Sequence, residues 1–145
     1  MKANSIEEFF GTLLQSVTEA HKKHLMTGKF SNHKALNEFY DEMPKVVDAL
    51  IEHWQGNHGK VDSLKTDILA DNMDTVKYFE ELLDMCNDAK DQFFKDEEAT
   101  KSDIDDVIGQ ISSVLYQLKE LKEQKGMKSL KQYLMEALNT SIGKM

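Results

Sequence analysis

Ser102-Asp-Ile-Asp-Asp-Val-Ile-Gly-Gln-Ile-Ser-Ser-Val-Leu-Tyr-Gln-Leu-Lys-Glu-Leu121 is the stretch whose reading decides the fold. Its apolar residues fall at Ile104, Val107, Ile108, Ile111, Val114, Leu115, Leu118 and Leu121. Steps of three and four residues bring side chains to one face of an α-helix. Acids, serines, Lys119 and Glu120 occupy the opposite face, so this helix has to bury one side against partners of its own kind. Ser102, with Asp105 three residues on, reads as its N-terminal cap.

Working outward, the same period recurs. Ser5 with Glu8 predicts the start of a first helix, with Ile6, Phe9, Phe10, Leu13, Leu14, Val17, His21, His24 and Leu25 along one stripe and Gly28 as its stop. Ser31 or Asn32 is read as the cap of a second helix carrying Leu36, Tyr40, Met43, Val47, Leu50, Ile51 and Trp54, closed by Gly56 and Gly59. Pro44 lies inside it and removes one backbone hydrogen bond, at about 3 kcal/mol if unrelieved. The apolar spacing continues across it, which predicts a kinked but continuous helix. A short crossover helix around Val61 to Leu69 leads to a third helix from near Asp71, with Met73, Val76, Phe79, Leu82, Leu83, Cys86, Ala89 and Phe94 inward. Beyond Gly126, Leu130, Tyr133, Leu134, Ala137 and Leu138 predict an additional C-terminal amphipathic helix at about 127–139.

The expectation is therefore an all-α four-helix bundle of the ferritin-like kind, in a single domain spanning 1–145 with its core bundle at about 5–124. The 145 residues suffice for one shared core. A single cysteine, Cys86, excludes an internal disulfide and points to a reducing compartment. The N-terminus lacks the apolar run of a signal peptide and no stretch reaches membrane length, so a soluble, cytoplasmic protein is expected. Eighteen Lys and Arg against 26 Asp and Glu give a formal charge of -8. That balance repels phosphate and attracts cations, which makes DNA an unfavoured partner. The one basic strip, Lys119, Lys122, Lys125, Lys128 and Lys131, reads as a solvated helix face.

Five histidines carry the functional reading. His21 and His24 are spaced i, i+3 on the edge of the first helix, a spacing that sets two imidazoles side by side. His53 and His58 read as surface residues beside a glycine-containing connection. A wider set is His21, His33 twelve residues on, Asp48 fifteen further and Glu52 four beyond that. Imidazole and carboxylate together suit iron and its oxygen chemistry. At about 1.5 Å per residue, His33 and Asp48 stand roughly 22 Å apart along one helix, so a site using both needs two chains.

The run His21-Lys-Lys-His-Leu-Met-Thr-Gly-Lys-Phe-Ser-Asn-His33, followed by Asp48 and Glu52, resembles the starvation-induced DNA-binding mini-ferritins (Dps family). Thr100 and Tyr116 extend the resemblance, while Lys22 and Asn37 stand where that family commonly has Trp and an acid. The resemblance implies a metal site of His21, His33, Asp48 and Glu52 across a two-fold dimer and a likely homo-dodecamer. It also implies iron as cofactor and substrate, Fe(II) oxidation by hydrogen peroxide or oxygen, and iron storage under oxidative stress. The competing expectation is a non-enzymatic helical assembly or interaction protein without iron chemistry.

Overall fold

The computed structural model describes residues 2–65, 73–120 and 134–139. The described residues are all-helical, with no strand among them. Four long helices form the bundle: α1 (Ile6–Met26), α2 (Phe30–His58), α3 (Thr75–Phe93) and α4 (Lys101–Glu120).

Ser5 caps α1 as expected, its hydroxyl accepting from the Glu8 amide at 3.1 Å. The other starts differ from the sequence reading. The α2 helix begins at Phe30, and its cap residue Lys29 offers no side-chain hydrogen bond, so neither Ser31 nor Asn32 has the capping role. Asp74 caps α3 through the Lys77 amide at 3.4 Å. The chain enters α4 through a 3-10 turn at Glu98–Thr100, which supplies the helical lead-in and leaves Ser102 within the helix. Pro44 sits inside α2, which remains one continuous helix as predicted.

Side-chain contacts fix the topology. His53 meets Asp103, so α2 and α4 run antiparallel. Lys90 meets Asp105 at 2.6 Å and Lys119 meets Glu80 at 3.1 Å, so α3 and α4 do likewise. Phe9 stacks on Phe93 while Lys23 reaches the Met73 carbonyl, which makes α1 and α3 antiparallel too. Around the bundle the order is α1, α2, α4, α3, with α2 and α3 parallel on the diagonal.

Parallel helices require a connection that travels the length of the bundle, about 30 Å for a 20-residue helix. Residues 59–74 make it, starting from Gly59 in the left-handed region at φ 84°. The crossover runs over α1 at Gly11. A Cβ there would stand 2.0 Å from the Lys65 carbonyl oxygen, so only glycine admits this approach. The Lys65 amide closes the contact on the Glu7 carbonyl at 3.4 Å. A short helix was expected over 61–69; residues 61–65 are not helical, and 66–69 lie outside the described residues.

The core is one cluster, with Phe10, Leu13, Phe39, Met43, Phe79, Leu82, Ile104 and Ile111 fully buried in it. Burial of each such side chain contributes roughly 1.5–3 kcal/mol, which is what holds the four amphipathic faces together. Residues 134–139 are helical, as the C-terminal pattern predicts, with Leu134, Met135 and Leu138 exposed. Residues 127–133 of that helix, and Lys122 to Lys131 of the basic strip, lie outside the described residues. Among the described residues no helix is long and apolar enough to cross a membrane.

Candidate functional site

The α1–α2 corner gathers three of the five histidines. The α1 helix ends at Met26, Thr27 is extended, and α2 starts three residues later. This tight reversal stacks the His24 and His33 rings at 3.7 Å between centroids, 28° apart. The Nδ1 of His24 lies 2.9 Å from the His33 carbonyl oxygen, and the Nδ1 of His33 lies 3.2 Å from the His24 carbonyl oxygen. A carbonyl only accepts, so both Nδ1 atoms donate, and in the neutral rings both Nε2 atoms carry a lone pair.

This reciprocal pair has a structural role as well. The His24 carbonyl belongs to the last turn of α1, where carbonyls lack helical partners, and the His33 ring satisfies it. His24 is 7% exposed, so it closes the corner from inside. His21 is exposed and lies against Tyr40 with ring centroids 4.5 Å apart, while Tyr40 meets His24 edge-on at 5.0 Å. The Tyr40 hydroxyl donates to Asn37 Oδ1 at 2.8 Å, and the Asn37 amide donates to Asp41 at 3.2 Å. Asn37 therefore positions the tyrosine that backs His21.

Asp48 and Glu52 are exposed on the second half of α2, one turn apart. The continuous α2 helix keeps them away from His33 in the same chain, as the helical rise requires. Among the described residues, no group of three or more His, Cys, Asp and Glu side chains is placed to hold a metal ion. The structure thus unites His21 with His33, through His24 and Tyr40, and separates both from the two acids. His24 is the residue that the four-member set omits. Its i, i+3 spacing from His21 was the available signal, but the His24–His33 pairing spans a turn and has no helical spacing to announce it.

The remaining histidines are exposed but partnered. His53 Nδ1 lies 2.7 Å from Asp103 Oδ2, and His58 Nε2 lies 2.9 Å from Glu97 Oε1 while stacking on Trp54 at 3.9 Å. Cys86 is fully buried, and burial pushes its thiol well above the ordinary range. It is therefore no candidate nucleophile.

Comparison with known proteins gives a match over residues 24–118 to a family described as a family of unknown function (DUF5856). An uncharacterized 14.6 kDa protein from the mobD-ri intergenic region of Enterobacteria phage T4 is 28% identical over 118 residues, which is 81% of this chain and 90% of that protein. No solved structure matches significantly. These matches correct the resemblance to the Dps mini-ferritins, since no Dps or ferritin-like family matches the chain. The physical reason is that the resemblance rested on four ligand positions in a chain with 26 acids and five histidines. Acids at i, i+4 are the ordinary exposed face of an acidic amphipathic helix. By its match over residues 24–118, the chain belongs to the family of unknown function DUF5856.

Proposed function

We propose that this protein binds a transition-metal ion between two copies of the chain, with His21 and His33 from one and Asp48 and Glu52 from the other. The observation that carries the reading is the state of the corner histidines. Both Nδ1 atoms of the His24–His33 pair are committed to backbone carbonyls. Metal-bound imidazoles are commonly oriented in this way, with one nitrogen donating to a carbonyl and the other facing the metal. His21 is exposed beside them, His33 is half-buried, and Asp48 and Glu52 are exposed together on α2, so three of the four are fully open to a second chain.

A mixed imidazole and carboxylate set fits iron, and Fe(II) is the ion proposed as substrate, losing one electron to peroxide or oxygen. With the mini-ferritin resemblance overturned, nothing supports a shell of twelve subunits, and the metal reading needs only a two-fold pair. The reduced thiol of Cys86 accords with a cytoplasmic setting.

The test combines light scattering with anaerobic Fe(II) titration. Wild type is expected to be at least dimeric and to bind Fe(II). His33→Ala and Asp48→Ala each lose it, and mixing the two variants restores up to one intact site per pair. Binding that survives both substitutions, or a strictly monomeric protein that binds as tightly, overturns the proposal.

A second reading has its own observation. Leu25 and Met26 are 70% and 82% exposed at the end of α1, and Leu134, Met135 and Leu138 are exposed on the 134–139 helix. Such apolar side chains fit a helical assembly or interaction protein without iron chemistry. That reading predicts association that Met26→Lys weakens and metal leaves unchanged.

A further inference from the structure

On the opposite side of α1 from the histidine corner lies a cavity of about 300 Å³, between the last turns of α1 and the start of α3. Its walls include Glu19, Lys22, Lys23, Met26, Met73 and Thr75. We propose that this cavity binds a small zwitterion of the α-amino-acid type, with its ammonium on Glu19 and its carboxylate on Lys23.

The first support is the state of Glu19. It is 3% exposed, and while its Oε1 lies 3.3 Å from the Lys22 ammonium, its Oε2 is buried without a hydrogen-bond partner. Nearly all buried polar atoms in folded proteins have a partner, and a buried carboxylate oxygen has the strongest demand for a donor. The Tyr78 hydroxyl is also buried and unpartnered. Burial first, and the charge of Glu19 second, push its pKa well above the ordinary phenol range, so the hydroxyl keeps its proton. Glu19 lines the cavity and Tyr78 does not, so a ligand there has to offer its donor to Glu19. An ammonium group, with three N–H bonds, does so.

The second support is the charge of the wall. Among the described residues of the wall, Glu19 and Asp74 are balanced by Lys22 and Lys23, which matches a ligand of zero net charge. Lys23 has three donors and gives one to the Met73 carbonyl at 2.9 Å, holding its ammonium 5.2 Å from the Tyr78 ring centroid. Its remaining donors suit a carboxylate. The Thr75 hydroxyl stands at the same wall, beside the first turn of α3 with its amide groups. Met26 and Met73 supply the adaptable apolar surface that a side chain needs. The volume lies at the small end of ligand pockets, the size of an amino acid rather than a nucleotide.

The experiment records nitrogen–proton correlation spectra of the full chain with L-methionine, methylamine or acetate. L-Methionine is expected to bind saturably and to move the Lys23 and Thr75 amide signals, while the two fragments at equal concentration do not saturate. Glu19→Gln, which keeps the shape and removes the charge, lowers the affinity at least about tenfold. Lys23→Met does the same from the other end of the ligand, and it carries the test if the Glu19 variant does not fold. No saturation up to about 10 mM, unchanged binding in Lys23→Met, or equal binding of one fragment overturns the proposal. His33→Ala should leave this binding intact, which separates it from the metal site.

Discussion

The two ends of the bundle use histidine in opposite ways. At the α1–α2 corner, His24 and His33 bond to each other's backbone, His21 rests on Tyr40, and none of the three meets a carboxylate among the described residues. At the far end, Phe9, Phe10, Trp54, Phe93 and Phe94 form an aromatic cluster, and His53 and His58 are held by Asp103 and Glu97 across helix boundaries. The far-end histidines already have acidic partners, so they clip elements together. At the corner, His24 and His33 have their Nδ1 atoms fixed by backbone carbonyls. One residue type thus bonds to carboxylates at one end and to backbone carbonyls at the other, and the neighbours decide which.

The largest effect should separate the two ends directly. His24→Ala removes a ring that is 7% exposed, breaks its bond to the His33 carbonyl and leaves the stack incomplete. Loss of packing and of a buried hydrogen bond together should cost about 2–4 kcal/mol in urea unfolding. His58→Ala removes an exposed ion pair and a ring stack, and should cost about 1 kcal/mol or less. Equal losses at the two positions would erase the distinction.

Next in size is a far-end change that involves no histidine. Gly11→Ala introduces a Cβ into the Lys65 carbonyl, and the crossover has to lift from α1. Against the gain of about 1 kcal/mol that alanine brings to a helix interior, the displaced backbone should leave a net loss of roughly 1–3 kcal/mol. Hydrogen exchange at the Lys65 amide, now bonded to the Glu7 carbonyl, should speed up before the global transition does. The corner amides should be unaffected, because Gly11 lies about three and a half helical turns from His24.

The helices themselves were legible, because Leu13, Met43, Leu82 and Ile111 each recur with helical period and each is buried. The first cap was legible as well, since Ser5 and Glu8 satisfy a local rule. The start of α2 was not. What secures that corner is the exchange between two histidine rings nine residues apart, and no local spacing rule reports a contact made across a turn. The same holds for Gly11, whose necessity arises from a segment more than fifty residues later. Of the candidate site, the separation of His33 from Asp48 followed from helical rise alone. The involvement of His24 needed the turn geometry, and the buried Glu19 of the α1–α3 cavity sits within α1 like any acid on a helix edge.

The smallest predicted effect is also the most selective. Asp103 is buried on α4 and meets His53, whose side chain is 59% exposed. Asp103→Asn keeps the volume and a hydrogen-bonding oxygen, so the contact to Nδ1 survives as a neutral one. Where His53 is protonated, such a partly exposed ion pair contributes up to about 1 kcal/mol, and the loss should fall within that range and shrink as salt is raised. The same substitution lies at the end of the bundle remote from His21 and His33, so Fe(II) affinity should not change. If Asp103→Asn weakened Fe(II) binding as much as His33→Ala does, the far-end histidines would have to be part of the metal site. The division between the two ends would then fail.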